Sequence, residues 1–223
     1  MRKILTLILL LPLTGMFSQN ELTPEITEIS KSDLKFTDLK NSSDIFSFRL
    51  KNDGQYIDFR ILSDSTKIGE IINFVEQSYG NRRTYNRISS GKIIPIIYKQ
   101  KINLTEIEVE KALKIIEKSR IIDLPSDSEI KEWIPILDGN GFGIEQKVKG
   151  VYKNKTYGNP KLQKELPETK IFLDFHCELD NAINFKNKFS DYFSKLDYGC
   201  YDDKSGVITC KKRKNRWWKF WRW

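Results

Sequence analysis

The chain has 223 residues, 39% of them hydrophobic and 12% aromatic, enough to bury one sizeable core. Its formal charge is +8. Setting aside two basic residues near the N-terminus and seven at the C-terminus, 29 basic residues stand against 30 acids over residues 19–210. The body is therefore close to neutral, which excludes a nucleic-acid-binding domain inferred from the overall basicity.

The N-terminus, MRKILTLILLLPLTGMFSQN, places Arg2 and Lys3 before an apolar run from Ile4 to Phe17 interrupted by Pro12. This run is too short to span a bilayer comfortably. Its charged start, apolar middle and small-residue exit predict a secretory signal peptide over residues 1–18. No cysteine follows it as a lipid attachment point. Export to a periplasmic or extracellular location is the expectation. Residues 19–43 are polar, charge-mixed and weakly periodic, and predict a linker, with the domain over residues 44–210.

Phe46, Phe48 and Leu50 alternate with polar residues, as do Ile57, Phe59 and Ile61 beyond Asp53-Gly54, a strong hairpin signal. IGEIINFVEQ is read as a strand, and TYNRISSGKIIPIIYKQKI as a hairpin about Ser89-Ser90-Gly91 whose second strand Pro95 places at an edge or bulge. The clearest helix follows. Thr105 is its cap, Glu108 completes a capping box, Leu104 and Val109 form a staple, and Val109, Ala112, Leu113 and Ile116 form a buried stripe. A second box, Ser126 to Glu129, predicts a short helix ending before Pro135. FGIEQKV and VYKNKTY, parted by Gly150, read as a largely exposed hairpin.

In KIFLDFHCEL the residues Ile171, Leu173, Phe175, Cys177 and Leu179 alternate and predict a strand. A helical stripe through Ile171, Phe175, Leu179 and Ala182 is the alternative. A helix with Phe185, Phe189 and Phe193 on one face follows, capped by Asp180 or Asn181. In CYDDKSGVITC, a loop of Lys204-Ser205-Gly206 sets Cys200 directly opposite Cys210, predicting a disulfide worth about 2 to 3 kcal/mol. Cys177 is then the odd cysteine, expected as a small buried hydrophobe. The sum predicts an α+β fold, a mostly antiparallel sheet of hairpins with two to three packed helices.

Candidate chemistry is sparse. On a strand, Asp174, His176 and Glu178 share one face and offer metal ligands or a proton shuttle, but a solvated polar face is the plainer reading. Asp138 and Asn140 begin like a calcium loop, which fails at Phe142 and Lys149. Gly139, Gly141 and Gly143 resemble a phosphate cradle, yet a strand rather than a helix follows them. Trp133, Tyr152, Tyr157 and Glu145 offer a groove, with core packing the preferred role for Trp133. The sequons at Asn41, Asn103 and Asn154 matter only in a eukaryotic secretory pathway, and the Asn-, Lys- and Ile-rich composition reads as bacterial. No cofactor, metal or catalytic set is implied.

The tail KKRKNRWWKFWRW, residues 211–223, carries four of the five tryptophans and no acid. Lys211, Lys212, Arg213, Lys214, Arg216, Lys219 and Arg222 each gain about 1 kcal/mol near an anionic bilayer, before screening. Trp217, Trp218, Phe220, Trp221 and Trp223 suit the headgroup layer. Single-stranded nucleic acid suits the same composition, but the leader argues against it. The expectation is a non-enzymatic exported binding or structural domain with an unknown protein or polymer ligand, associated with an anionic membrane surface through this tail. A carboxylate-dependent hydrolase of envelope or extracellular polymers, and a membrane-active antibacterial effector, are the alternatives.

Overall fold

A computed structural model of the protein describes residues 24–78, 96–136, 141–163 and 166–211. The expected signal peptide over residues 1–18, the expected turn about Ser89-Ser90-Gly91, Pro95 and the calcium-like residues Asp138 and Asn140 lie outside them. Among the described residues nine strands form one antiparallel sheet: β1 (Ile26–Ser30), β2 (Phe46–Asn52), β3 (Gln55–Ile61), β4 (Lys67–Gln77), β5 (Ile96–Asn103), β6 (Gly141–Val148), β7 (Val151–Gly158), β8 (Gly199–Asp202) and β9 (Ile208–Lys211). The order is β1-β5-β4-β3-β2-β6-β7, with β8 on the end of β4 and β9 on β8. Three helices, α1 (Glu106–Lys118), α2 (Pro167–Ile183) and α3 (Phe185–Lys195), complete the α+β fold.

Local chemistry builds the hairpins. Asn52 faces Gln55 across Asp53-Gly54, where Gly54 has φ of 63°. A β-carbon there would lie 2.9 Å from the Phe74 carbonyl oxygen and 3.0 Å from both the Asp203 Cβ and a Phe189 ring carbon, so glycine is required twice over. Lys149 and Gly150, at φ of 50° and 78°, make the two-residue turn between β6 and β7 left-handed at both positions. The last hairpin pairs Tyr201 with Thr209 and Cys200 with Cys210, and the disulfide is formed.

Phe48, Leu50, Ile57, Phe59, Ile71 and Ile144 point from one sheet face into a core completed by Ala112 and Ile116 of α1 and Phe172, Phe175, Leu179 and Ile183 of α2. Each such burial is worth roughly 1.5–3 kcal/mol. Thr105 and Glu108 make both bonds of the expected capping box at the start of α1. At the far end of this face, a row of buried amides runs across three strands. Gln55 donates to Asn73 at 2.7 Å, Asn73 to Gln100 at 3.1 Å, and Gln100 to the Pro24 carbonyl at 2.9 Å.

The structure corrects several expectations. Residues 171–179 are helix: Phe172, Phe175, His176, Leu179 and Ile183 recur at spacings of three and four and are buried, and Pro167 occupies the first turn. Alternation left Phe172 on the wrong face and counted Cys177, which is exposed. The polar segment 19–43 is no mere linker, since Ile26–Ser30 adds strand β1 beside β5 and Leu39 is only 1% exposed. Leu34 and Phe36 pack on Tyr56, Ile72, Phe74 and Ile97 of the sheet face away from the helices, too few apolar residues to produce a periodic signal. The strand after Pro95 is not at an edge, because β1 and β4 flank it. The hairpin about Gly150 is half buried, through Ile144, Gln146, Lys155 and Tyr157. The second capping box starts only a 3-10 turn, Asp127–Glu129. Finally, α2 runs through Asp180 and Asn181 to Ile183, and Asn184 turns the chain into α3 at φ of 54°. Asp180 still accepts a hydrogen bond from the Lys186 backbone N–H at 3.0 Å, capping α3 from within the preceding helix.

Candidate functional site

The β2–β3 turn, the β8–β9 loop, α2, α3 and the segment after β7 converge on a cleft of about 460 Å³. The turn contributes Asn52 and Asp53, the loop contributes Asp203, and α3 contributes Lys186 and Phe189. Leu173 and His176 come from α2 and Phe142 from β6. Asn159, left-handed at φ of 49°, ends β7 and sends Pro160, Lys161 and Leu162 to the rim.

Two groups in this cleft are displaced from their ordinary protonation. Burial raises the Asp53 carboxyl to about 6, and the negative charge of Asp203 adds to the rise. Gly54 lets Asp203 pack against this turn, because its missing side chain leaves room for the Asp203 Cβ. Burial lowers the His176 imidazole to about 4, and Lys186 and Lys161 push it further down while Asp180 opposes them. The ring is 8% exposed and lies against Phe142, Phe172 and Phe185, with centroids 5.1–6.2 Å away. Its Nε2 has no hydrogen-bond partner. At neutral pH the imidazole is uncharged, and a polar atom stands unsatisfied beside the cleft.

The other candidates are dispersed by the fold. On the helix His176 turns inward whereas Asp174 and Glu178 are exposed, so the trio is not assembled. Among the described residues no three His, Cys, Asp or Glu side chains are placed to hold a metal ion. Trp133 is a core residue whose Nε1 donates to the Gly158 carbonyl at 3.0 Å, and Tyr157 is fully buried beside it, so neither lines a groove. Glu145 is engaged on the opposite sheet face, accepting from Arg49 at 3.0 Å and Lys51 at 2.5 Å. The sequons at Asn41, Asn103 and Asn154 are all exposed.

Of the tail, Lys211 alone is described. Its ammonium donates to the carbonyls of Phe193, at 3.0 Å, Ser194, at 2.7 Å, and Leu196. These carbonyls lie in the last turn of α3 and at the residue that caps it, where the helix dipole favours a cation. Lys211 thus belongs to the body, which moves the start of the candidate membrane segment to Lys212. Together with the Cys200–Cys210 disulfide it fastens the strand from which residues 212–223 continue.

Sequence reasoning missed Asp53 and Asp203 as a pair. Asp53 was legible only as a turn residue, and no local signal connects positions on separate hairpins. No protein-family model matches the chain, and no curated protein matches it.

Proposed function

We propose that the protein is an exported, non-enzymatic α+β binding domain, held to an anionic membrane face by residues 212–223, with the Asp53–His176 cleft as its ligand seat. The observation that carries the tether is the division of charge: 29 basic residues against 30 acids over residues 19–210, followed by a tail with no acid. The fastening of Lys211 onto the end of α3 supports it, because a load applied through the tail is passed to a helix and a disulfide-closed hairpin. A chain ending at Lys211 keeps that fastening and is the right variant for a test. It is expected to lose co-sedimentation with phosphatidylglycerol vesicles at moderate salt, while the full chain sediments and is released as salt rises. Equal sedimentation of the two would overturn the tether.

One observation favours a second reading, a carboxylate-dependent hydrolase of envelope or extracellular polymers. A carboxyl raised to about 6 beside a second acid is the arrangement general acid catalysis uses. This reading expects the folded protein to release reducing ends from a polysaccharide, and Asp53→Asn to stop the release. A wild-type protein that releases none removes it.

A further inference from the structure

We infer that the outward side of the β8–β9 hairpin is a second lipid-contacting surface, on which Val207 and Ile208 enter the headgroup layer of an anionic bilayer beside the tail. The inference rests on the proposed tether and adds to it a contact made by the folded body.

The hairpin has two unlike sides. Tyr201 points inward against the rings of Tyr98 and Phe193, fully buried, and its hydroxyl donates to the Asp197 carbonyl at 2.9 Å. Successive side chains on a strand alternate, so Cys200 and Asp202 point away from the side that Tyr201 takes, and the register places Cys210 and Ile208 opposite them. Ile208 is 55% exposed, and Val207, next to it at the end of the loop, is 64% exposed. Among the described residues they are the only consecutive pair of exposed large apolar residues, and the exposed Tyr198 immediately precedes β8. Exposed aliphatics scattered singly need no explanation, whereas a group of them on one short hairpin does.

The hairpin is too firmly held to fold this patch away. The Cys200–Cys210 disulfide ties its strands together, Lys204 donates to Glu76 at 2.5 Å and to Asp202 at 3.3 Å, and the Lys211 ammonium fixes β9 to the end of α3. Asp202, the acid opposite Ile208, thus has a cation beside it, and Asp203 packs back against the turn at Gly54.

The surroundings of the patch identify its partner. Three residues after Ile208 the chain reaches Lys211, beyond which twelve residues carry six cations, five aromatic side chains and no acid. Three residues of strand span about 10 Å, so a tail lying on a bilayer brings Val207 and Ile208 to the same surface. Two aliphatic side chains are too little to hold a protein on a membrane by themselves. Once the tail is bound, however, they meet the bilayer at high effective concentration and multiply the affinity. A protein strand is the poorer occupant, because β9 has only four residues and short edge strands are a device against pairing.

Co-sedimentation with phosphatidylglycerol vesicles tests this on the full chain, on the full chain carrying Val207→Ser and Ile208→Ser, and on the chain ending at Lys211. The double variant is expected to partition about tenfold more weakly than the wild type, with the same salt dependence, because it loses apolar contact and no charge. Val207→Leu with Ile208→Leu is expected to keep wild-type partitioning. Position is read separately, in a full chain carrying Trp217→Phe, Trp218→Phe, Trp221→Phe and Trp223→Phe. There the indole introduced by Ile208→Trp is expected to shift its emission to the blue on vesicles and to be quenched by brominated phosphatidylglycerol, while the core residue Trp133 is not. Partitioning of the serine variant equal to that of the wild type, or an unquenched indole, overturns the inference, and the tether stands if the chain ending at Lys211 has lost sedimentation. A dimer that forms without vesicles and is dissolved by the serine substitutions assigns the surface to a second copy of the chain and equally overturns the inference. Sedimentation of the chain ending at Lys211 as strong as that of the full chain, abolished when the serine substitutions are added, overturns the tether alone. A full chain that does not sediment overturns both.

Discussion

Asp58 and Asp53 lie five residues apart on one hairpin and live in opposite circumstances. Asp58, whose side chain is 1% exposed, receives the Arg49 guanidinium in a fork, from Nε at 2.6 Å and Nη2 at 2.5 Å. Arg49 also donates to Glu145 and to the Thr37 carbonyl and lies 5.7 Å from the Phe36 and Tyr56 ring centroids. One guanidinium thereby joins β2, β3 and β6 and docks the polar N-terminal segment on the sheet. Asp53, half buried at the turn, has another acid for a neighbour. A charge that serves the fold is fully paired; the acid left with a like-charged neighbour sits where the fold opens a cleft.

The sharpest way to break this contrast is to remove the guanidinium. Arg49→Met leaves Asp58 buried without its cation and Glu145 with Lys51 alone, and urea unfolding is expected to show a loss of about 3–5 kcal/mol. The double variant Arg49→Met with Asp58→Leu should recover part of that loss, and a double variant no more stable than the single would deny that the unpaired charge is the cause. His176 tests the other side of the comparison. Its folded pKa, about 4, lies below the ordinary 6.5, so the native state resists protonation there. Stability present above pH 6.5 is lost as pH falls through 4, by up to about 3 kcal/mol, and His176→Phe is expected to flatten that limb of the unfolding profile. Asp53 acts in the opposite sense. Its folded pKa, about 6, exceeds the ordinary 3.8, so the native state binds the proton more tightly and stability falls as pH rises between the two. Asp53→Asn is therefore expected to gain about 1 kcal/mol at pH 7.5, after discounting for water at a half-buried group, and nothing below pH 3.8. A destabilising Asp53→Asn would mean that the turn needs the carboxylate.

The elements legible in the sequence are those fixed by interactions a few residues long. Asp53-Gly54 turns the first hairpin, Thr105 and Glu108 close a capping box, and the loop Lys204-Ser205-Gly206 sets Cys200 against Cys210. Residues 171–179 were misjudged because their apolar residues satisfy a period of two almost as well as one of 3.6. Only the packing of Phe172 and Ile183 against the sheet selects the helix. The docking of residues 34–39 was hidden because it depends on Arg49, a polar residue whose partners lie on other strands.

The sequence by itself determined the α+β class, the terminal disulfide hairpin and the separation of a neutral body from a basic aromatic tail, since turn chemistry, periodicity and charge counts are local or additive quantities. Only the tertiary structure decided which acid is paired and which is not, that the Lys211 ammonium caps the end of α3, and that His176 faces inward with an unsatisfied nitrogen. Burial and the distance between charges depend on residues far apart in the chain, and these set both the protonation of Asp53 and His176 and the chemistry of the cleft they share.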